Sequence, residues 1–190
     1  MFAQLTRRAL LAGAGVAAAA LLAACGAGDD SPTAPDAKFN DADVTFAQNM
    51  IPHHEQAVEM AKLAPTRASN PEVKRLASQI EEAQDPEIKT LRGWLKDWGK
   101  PETPEGGHTG MNGMDGMMSE EEMKRLEAAR GAEFDRMFAR MMIAHHQGAI
   151  KMAETEIADG VNPDAKKLAR TIKRTQAEEV KTLKGLLARL

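Results

Sequence analysis

The chain has 190 residues, of which 43% are hydrophobic and 28% are charged, with a formal net charge of −3 and a single cysteine. This length provides one domain with short flanking segments and excludes a second catalytic domain, and the acidic balance argues against nucleic acid as a partner. The single cysteine excludes a disulfide within the chain.

The first 40 residues predict an export signal followed by a tether. Residues 1–25 carry paired arginines, which resemble a twin-arginine signal, and then an apolar run too short to span a membrane comfortably. This segment ends in Leu-Ala-Ala-Cys, which resembles a bacterial lipobox and implies lipid attachment to Cys25. The alternative is an ordinary signal peptide with an incidental cysteine. Residues 26–40 are rich in Gly, Ser, Pro and Asp and predict a flexible tether.

Residues 41–190 contain an internal repeat. A shift of 92 positions aligns residues 43–95 with 135–187 without a gap, and 23 of these 53 positions are identical. The two copies, residues 41–98 and 119–190, each predict a helical hairpin. Two such hairpins bury their apolar faces only against each other, so the sequence predicts an all-α four-helix bundle.

Repeat one predicts two helices, each with one apolar seam. The first seam recurs at alternating steps of four and three and consists of Phe46, Met50, His53, Ala57 and Met60. The second helix opens at Asn70-Pro71, because Asn caps free N–H groups and proline at the first helical position loses no hydrogen bond. Pro52 and Pro86 lie inside the two helices, where each is expected to produce a kink.

Repeat two predicts the third and fourth helices. Ser119, with a glutamate three residues later, forms a capping box that is expected to start the third helix, and Gly160 suits its end. The fourth helix opens at Asn162-Pro163, which matches the start of the second helix.

Four of the five histidines occur as two pairs at matching positions of the repeat, His53-His54 and His145-His146. Four uncharged imidazoles in one core each need a polar partner, and neutral imidazole is the commonest metal ligand in proteins. We therefore interpret the pairs as metal ligands. The alternative is that they are structural core histidines bonded to carbonyl groups.

Methionines accompany both histidine pairs and bear on the identity of the metal. Ferritin-type di-iron bundles place a glutamate three residues before the histidine, whereas this chain has Met50 and Met142 there. Met60 and Met152 follow about two turns beyond the pairs, on the same side. Thioether donors favour copper, particularly Cu(I), over iron, although another transition metal stays open.

Two further polar positions are duplicated in the second arm of each hairpin. Gln84 and Gln176 are each followed three residues later by a glutamate, Glu87 and Glu179 respectively. These side chains are interpreted either as ligands or as acceptors that orient the imidazole N–H groups. The alternative is that the glutamates point outward and pair with lysines such as Lys89.

The segment 99–118 joins the repeats and contains too much Gly and Pro for a stable helix. It also contains five candidate soft donors, His108, Met111, Met114, Met117 and Met118. Thioethers stay unprotonated, and a flexible chain can wrap a soft ion, so we interpret this loop as a capture arm for Cu(I). The alternative is a linker whose methionines make apolar contacts with a partner.

The doubled pattern His-His-x-x-Ala-[Val/Ile]-x-Met-Ala, each time followed by Gln-x-x-Glu-[Ile/Val]-Lys-x-Leu, resembles the domain of unknown function 305 family over roughly residues 41–190. The resemblance implies a ferritin-like helical bundle, usually exported in bacteria, with some members associated with copper binding and copper tolerance. The signature positions in this sequence are Met50, His53, His54, Met60, Met142, His145, His146 and Met152. The family has no settled enzymatic activity.

These features together predict a lipid-anchored copper-binding protein, in the periplasm or on the outer face of the cytoplasmic membrane, that sequesters copper or hands it on. Two other functions stay open: a non-catalytic structural or interaction bundle in the cell envelope, and a metal oxidase. The sequence leaves enzymatic activity open without favouring it. A Ser-His-Asp or Cys-His nucleophile is not supported, because no serine falls beside a duplicated histidine and the one cysteine belongs to the lipobox. The sequence leaves the oligomeric state and any protein partner undetermined.

Overall fold

The computed structural model of the chain describes residues 38–103 and 114–190, and within these residues it contains five α-helices and no strand. The helices are α1 (Asp41–Arg67), α2 (Pro71–Asp97), α3 (Glu120–Ala128), α4 (Gly131–Asp159) and α5 (Pro163–Leu187). The four long helices form two hairpins, α1–α2 and α4–α5, which confirms the predicted all-α bundle.

Several predictions made from the sequence fall on residues outside the described ranges. They concern the export signal with Cys25, most of the tether, His108 and Met111. Among the helices that are described, none is long and apolar enough to cross a membrane.

Both predicted Asn-Pro helix starts are confirmed. The side-chain oxygen of Asn70 accepts the N–H of Glu72 at 2.8 Å, and that of Asn162 accepts the N–H of Asp164 at 3.0 Å. These bonds satisfy donors that have no partner within the helix itself. The internal prolines do not interrupt their helices, since α1 and α2 are continuous along their whole lengths.

The prediction of one continuous third helix is wrong. Its capping box is present, because Ser119 and Glu122 exchange hydrogen bonds, but the helix that it starts, α3, has only nine residues. The next helix begins at Gly131, whose φ of 61° is a left-handed conformation that favours glycine. This break lets α3 leave the axis of α4 and bury Met123 and Leu126 against the bundle.

Gly160 ends α4 as predicted, but not for the predicted reason. Its φ of −66° is an ordinary value that any residue adopts, so no left-handed cap is required here. A Cβ atom at this position would instead overlap the carboxyl group of Glu156. The glycine therefore leaves space for a buried acid.

Helices α1 and α4 run antiparallel. The carboxylate of Asp43, in the first turn of α1, accepts the N–H of Asn162 at 2.9 Å, just beyond the end of α4. The carboxylate of Asp135, in the first turns of α4, accepts the N–H of Asn70 at 3.0 Å, just beyond the end of α1. A pseudo-twofold axis therefore relates the repeats and passes between α1 and α4 at the level of the histidine pairs.

Two apolar clusters form the core on either side of this level. The α3-side cluster includes Met60, Leu76, Leu126, Phe134, Phe138, Met142 and Leu183. The opposite cluster includes Phe46, Met50, Ile51, Leu91, Leu95 and Ile172. Burial of each such side chain contributes about 1.5–3 kcal/mol, so the two clusters hold the polar level between them in place.

Candidate metal centre

The paired histidines form a buried layer at the centre of the bundle. His53, His54, His145 and His146 are all 0% exposed. The ring centroids of His53 and His145 lie 3.7 Å apart, with a tilt of 38° between the ring planes. This proximity follows from the antiparallel packing, because equivalent residues next to a twofold axis face each other.

Each hairpin joins one histidine to one glutamate across its two arms. His54 Nε2 lies 2.8 Å from Glu87 Oε2, and His146 Nε2 lies 2.6 Å from Glu179 Oε2. A carboxylate oxygen only accepts, so each Nε2 carries the hydrogen and donates it. The two glutamates therefore point at the histidine layer and orient the rings, rather than pairing with lysines.

Five imidazole nitrogens in this layer have no hydrogen-bond partner within the described residues: Nδ1 of all four histidines and Nε2 of His145. The remaining nitrogen, Nε2 of His53, lies 3.3 Å from the carbonyl oxygen of Asp115 and donates to it. A buried polar atom without a partner costs about 1–3 kcal/mol. A cation that binds those of the five nitrogens that carry a lone pair would recover part of that cost.

Burial keeps two rings of the layer, His53 and His145, uncharged. Burial, together with the neighbouring His54, lowers the pKa of His53 to about 3. Burial, together with the neighbouring His53, lowers the pKa of His145 well below its usual 6.5. Both rings are therefore neutral at pH 7, which is the form in which imidazole binds a metal.

Methionine thioethers flank the histidine layer on both sides. Met60 and Met142 are buried in the α3-side cluster, whereas Met50 is buried in the opposite cluster with Met152 packed against it. Because α1 and α4 are antiparallel, the four methionines predicted from the sequence divide into one pair on each side of the histidines.

Gln84 and Gln176 supply amide groups one turn before the two glutamates. Each is only 2% exposed. Among the described residues, neither amide atom of Gln84 has a partner, and the same holds for Oε1 of Gln176. The polar layer thus extends from the histidines into α2 and α5.

The layer is not a ready-made cage of charged and imidazole ligands. Within residues 38–103 and 114–190, no group of three or more His, Cys, Asp and Glu side chains is arranged to hold a metal ion. Pairs of imidazoles and thioethers remain as donors, and Cu(I) is selected by such soft ligands. The donor set therefore fits a soft ion with a low coordination number better than a hard divalent ion.

The end of the methionine-rich loop lies over this layer. Residues 114–118, here called the strap, bring the carbonyl group of Asp115 to His53. Three predicted donors of the loop are half-buried in the strap: Met114, Met117 and Met118. The last of these packs against the α3-side cluster. Candidate soft donors thus lie directly outside the candidate site.

Sequence reasoning missed the residues that seat the strap. Gln56 bonds to the backbone of Met118, and Gly148 provides the space for Asp115. Positions 56 and 148 match each other in the repeat alignment. The sequence signal that could have revealed them is the difference between a glutamine and a glycine beside two identical His-His pairs, which indicates a feature of one repeat alone.

The buried acid Glu156 lies beside the start of α1, away from the histidine layer. Glu156 is 1% exposed, and neither of its carboxyl oxygens has a well-formed hydrogen bond in the described part of the chain. Burial and the nearby Asp43 raise the pKa of Glu156 to about 8, so its carboxyl group is protonated at pH 7. The matching residue of repeat one is Ala64, and the sequence pattern gave no reason to single this position out.

Comparison with protein families gives one match, to the family described as "Domain of unknown function (DUF305)", over residues 43–187. No curated protein matches the chain at a significant level.

Several solved structures are similar to this chain. A DUF305 protein from Streptomyces coelicolor, described as a candidate secreted protein, is 34% identical with a TM-score of 0.73, and the match covers 78% of this chain and 91% of that one. A DUF305 fragment from Deinococcus radiodurans is 34% identical with a TM-score of 0.72, covering 80% and 98% of the two chains. CopM in its Cu(II)-bound form is 34% identical with a TM-score of 0.66, covering 77% and 96%. CopM has also been solved with Cu(I) and with Ag.

Proposed function

Because the chain belongs to the DUF305 family, whose name assigns no activity, we propose its function from its own site: it binds copper, chiefly as Cu(I), and sequesters the ion or hands it on. Copper is cargo in this proposal rather than a resident cofactor. The observation that carries the proposal is the buried layer of imidazoles, in which five nitrogens have no partner within residues 38–103 and 114–190. Two of these rings are held neutral by burial, so their lone pairs are available to a cation at pH 7.

The groups around the layer favour a soft ion. Thioethers lie on both sides of the histidines and in the strap, and soft thioether ligands select Cu(I) over iron, magnesium or calcium. The similarity to CopM, which has been solved with Cu(I), Cu(II) and Ag, supports the same choice for this chain.

The proposal gives each group of residues a role. The ligands of the core site are the four histidines and the flanking methionines, namely His53, His54, His145, His146, Met50, Met60, Met142 and Met152. Glu87 and Glu179 accept the Nε2 hydrogens and set the ring orientation, with Gln84 and Gln176 beside them. The strap methionines, together with His108 and Met111, capture the ion.

We also propose that the site works outside the cytoplasm. Residues 1–25 act as the export signal, Cys25 carries the lipid, and residues 26–40 tether the bundle to the membrane. The similarity to a candidate secreted protein from Streptomyces coelicolor supports export. Metabolic labelling with a radioactive fatty acid, in cells that express the chain or its Cys25→Ala variant, tests the anchor. Label that persists in the variant would contradict it.

An anaerobic competition titration with a coloured Cu(I) chelator tests the copper site. The mature chain should compete, and the double variant His53→Asn, His145→Asn should lose at least about tenfold in affinity, which is about 1.4 kcal/mol. Met123→Leu is the matched control, because Met123 is a buried methionine of α3 outside the histidine layer. Full competition by a double variant that keeps its helical circular dichroism spectrum would contradict the proposed site.

One observation favours the alternative function of a structural or interaction bundle. His54 and His146 are each bonded to a glutamate, as a core histidine with a purely structural role would be. This alternative predicts that the parent chain does not compete for Cu(I) at all, and that replacing the histidines changes stability only. The same titration therefore separates the two functions.

A further inference from the structure

We infer that the strap is a positioning element, which fixes the tautomer of His53 so that this ring offers Nδ1 to a bound ion. The inference concerns the geometry of the ligand-free protein, and only its meaning for copper rests on the proposed function. It follows from three independent contacts between the strap and the bundle and from a difference between the two repeats.

The first contact is a close backbone approach at two glycines. A Cβ atom at Gly148 would overlap the backbone carbonyl group of Asp115, and a Cβ atom at Gly116 would lie 2.5 Å from the carbonyl oxygen of Ala144. Gly116 also has a φ of 83°, a left-handed value that favours glycine. The strap and α4 thus each need a glycine at the point where they meet. Two such glycines indicate a specific docking position rather than an incidental contact.

The second contact is a clamp at the end of the strap. The side chain of Gln56 donates to the carbonyl oxygen of Met118 at 2.8 Å and accepts the N–H of the same residue at 2.7 Å. A side-chain amide that makes both bonds to one peptide position mimics strand pairing and fixes the backbone direction of the strap. The third contact is an exposed ion pair of 2.8 Å between Lys151 and Asp115, which adds little free energy by itself.

The seat exists on one side of the pseudo-twofold axis only. Gln56 and Gly148 occupy matching positions of the repeat, and the clamp needs the glutamine whereas the close approach needs the glycine. In the part of the chain that the structure describes, the strap therefore reaches one of the two facing rings. His53 receives the carbonyl group of Asp115, and His145 keeps both nitrogens unpartnered within the described residues.

The chemical consequence is a common tautomer for three rings. A carbonyl oxygen accepts and does not donate, so Nε2 of His53 must carry its hydrogen. Glu87 and Glu179 impose the same arrangement on His54 and His146. A ring whose single hydrogen is on Nε2 has its lone pair on Nδ1, and in all three rings Nδ1 has no partner within the described residues. Within the described residues, neither nitrogen of His145 has a well-formed hydrogen bond that would fix its tautomer in the same way.

Nitrogen-15 NMR of the histidine rings in the copper-free mature chain tests this inference directly. Long-range proton–nitrogen correlation spectra distinguish a protonated ring nitrogen from an unprotonated one. We expect His53, His54 and His146 to show single Nε2–H tautomers. In Gly148→Ala the added methyl group displaces Asp115, so His53 alone should change to a mixture of tautomers, while the two glutamate-bonded rings keep theirs.

Two further variants make the test specific. Gly93→Ala is the matched control, because it also replaces a helical glycine but nothing lies within 4 Å of the added Cβ atom; it should leave all four rings unchanged. Gln56→Leu removes the two hydrogen bonds to Met118 without adding an atom at Gly148. This variant tests the inference if Gly148→Ala does not fold. It should also release the tautomer of His53.

An Nδ1–H tautomer of His53 in the parent chain would overturn the inference. So would a His53 signal that is unchanged in both Gly148→Ala and Gln56→Leu. Neither result depends on copper, so failure here is distinguishable from failure of the Cu(I) titration.

Discussion

The two repeats place the same residues at the centre of the bundle and different residues at its ends. At the centre, the bond between His54 and Glu87 in repeat one matches the bond between His146 and Glu179 in repeat two. At the ends, Asp43 has the buried acid Glu156 beside it, whereas the site around Asp135 has Ala64 at the matching position.

This difference distinguishes features that are present in both repeats from features that are present in one repeat. The histidine layer lies next to the pseudo-twofold axis, so each residue there works together with its own equivalent. Two features of the described residues belong to one copy, the strap seat at positions 56 and 148 and the buried acid Glu156, and both fall where the two copies differ. The candidate metal layer therefore follows from the symmetry of the repeats, and the strap that contacts it follows from their asymmetry.

The largest expected effect on stability comes from truncating large side chains at equivalent core positions. Leu91 and Leu183 match in the repeat, are both 0% exposed and lie in opposite apolar clusters. Changing either to alanine should lower the free energy of unfolding by about 2–5 kcal/mol through lost burial and a residual cavity. Urea denaturation of both variants checks this. Costs that differ by more than about 2 kcal/mol would show that the two clusters are not equivalent.

The unequal ends predict a pH dependence that a symmetric bundle would lack. The pKa of Glu156 is raised from 4.5 to about 8 in the folded chain, so its contribution to stability is fully present below pH 4.5 and is lost as the pH rises to 8. Glu156→Gln keeps a neutral side chain and removes the titration. The difference in unfolding free energy between parent and variant should therefore change by up to about 1.4 kcal/mol per pH unit inside this window.

The buried ring of His53 has the opposite pH dependence, and this determines the pH range in which Glu156 is best measured. The pKa of His53 is lowered from 6.5 to about 3, so its contribution is fully present above pH 6.5 and is lost as the pH falls towards 3. Denaturation between pH 6.5 and 8 isolates Glu156 from this term. Glu178→Gln, a change at an exposed glutamate, is the control. Parallel pH profiles for the parent and Glu156→Gln would refute the buried, protonated acid.

Removing the two ring acceptors should have a smaller effect, equal in the two repeats. Glu87→Ala and Glu179→Ala each leave a buried Nε2–H group without its acceptor, at a cost of about 1–3 kcal/mol. Thermal and urea denaturation of the copper-free proteins measure this cost. Should one variant prove neutral and the other costly, the centre of the bundle would be less symmetric than its hydrogen bonds indicate.

Periodicity and the repeat were enough to predict the bundle and the histidine layer, for a physical reason. Phe46, Met50 and His53 lie on one face of a helix, and this face is buried only if another helix packs against it. The second copy of the repeat supplies that helix. The direction in which the two seams cross could not be read in this way, because parallel and antiparallel packing both bring the histidine pairs to one level. That direction decided how the methionines divide around the histidines.

What the sequence did not reveal depends on contacts between distant segments. The break before Gly131 is set by how α3 packs across the bundle. The sequence of α3 does not reveal it, because the same capping box and the same nine residues could equally begin a longer helix. The use of Gly148 depends on a loop that lies more than 30 positions away. In both cases the residue type was visible, but the reason for it belongs to the fold.

The smallest expected effect concerns Glu156 and Gly160, which replace Ala64 and Ala68 of repeat one. The experiment tests whether these two differences are energetically coupled. Gly160→Ala alone should destabilise the chain by about 1 kcal/mol, because the new methyl group overlaps the carboxyl group of Glu156 while the backbone conformation accepts alanine. In the background of Glu156→Ala that overlap is absent, and the double variant recreates the Ala64 and Ala68 arrangement of repeat one. A double-mutant cycle should therefore give a favourable coupling energy of about 0.5–1.5 kcal/mol between the two alanines. A coupling near zero would mean that Gly160 does not make room for the buried acid, and that the two ends of the bundle differ at independent positions.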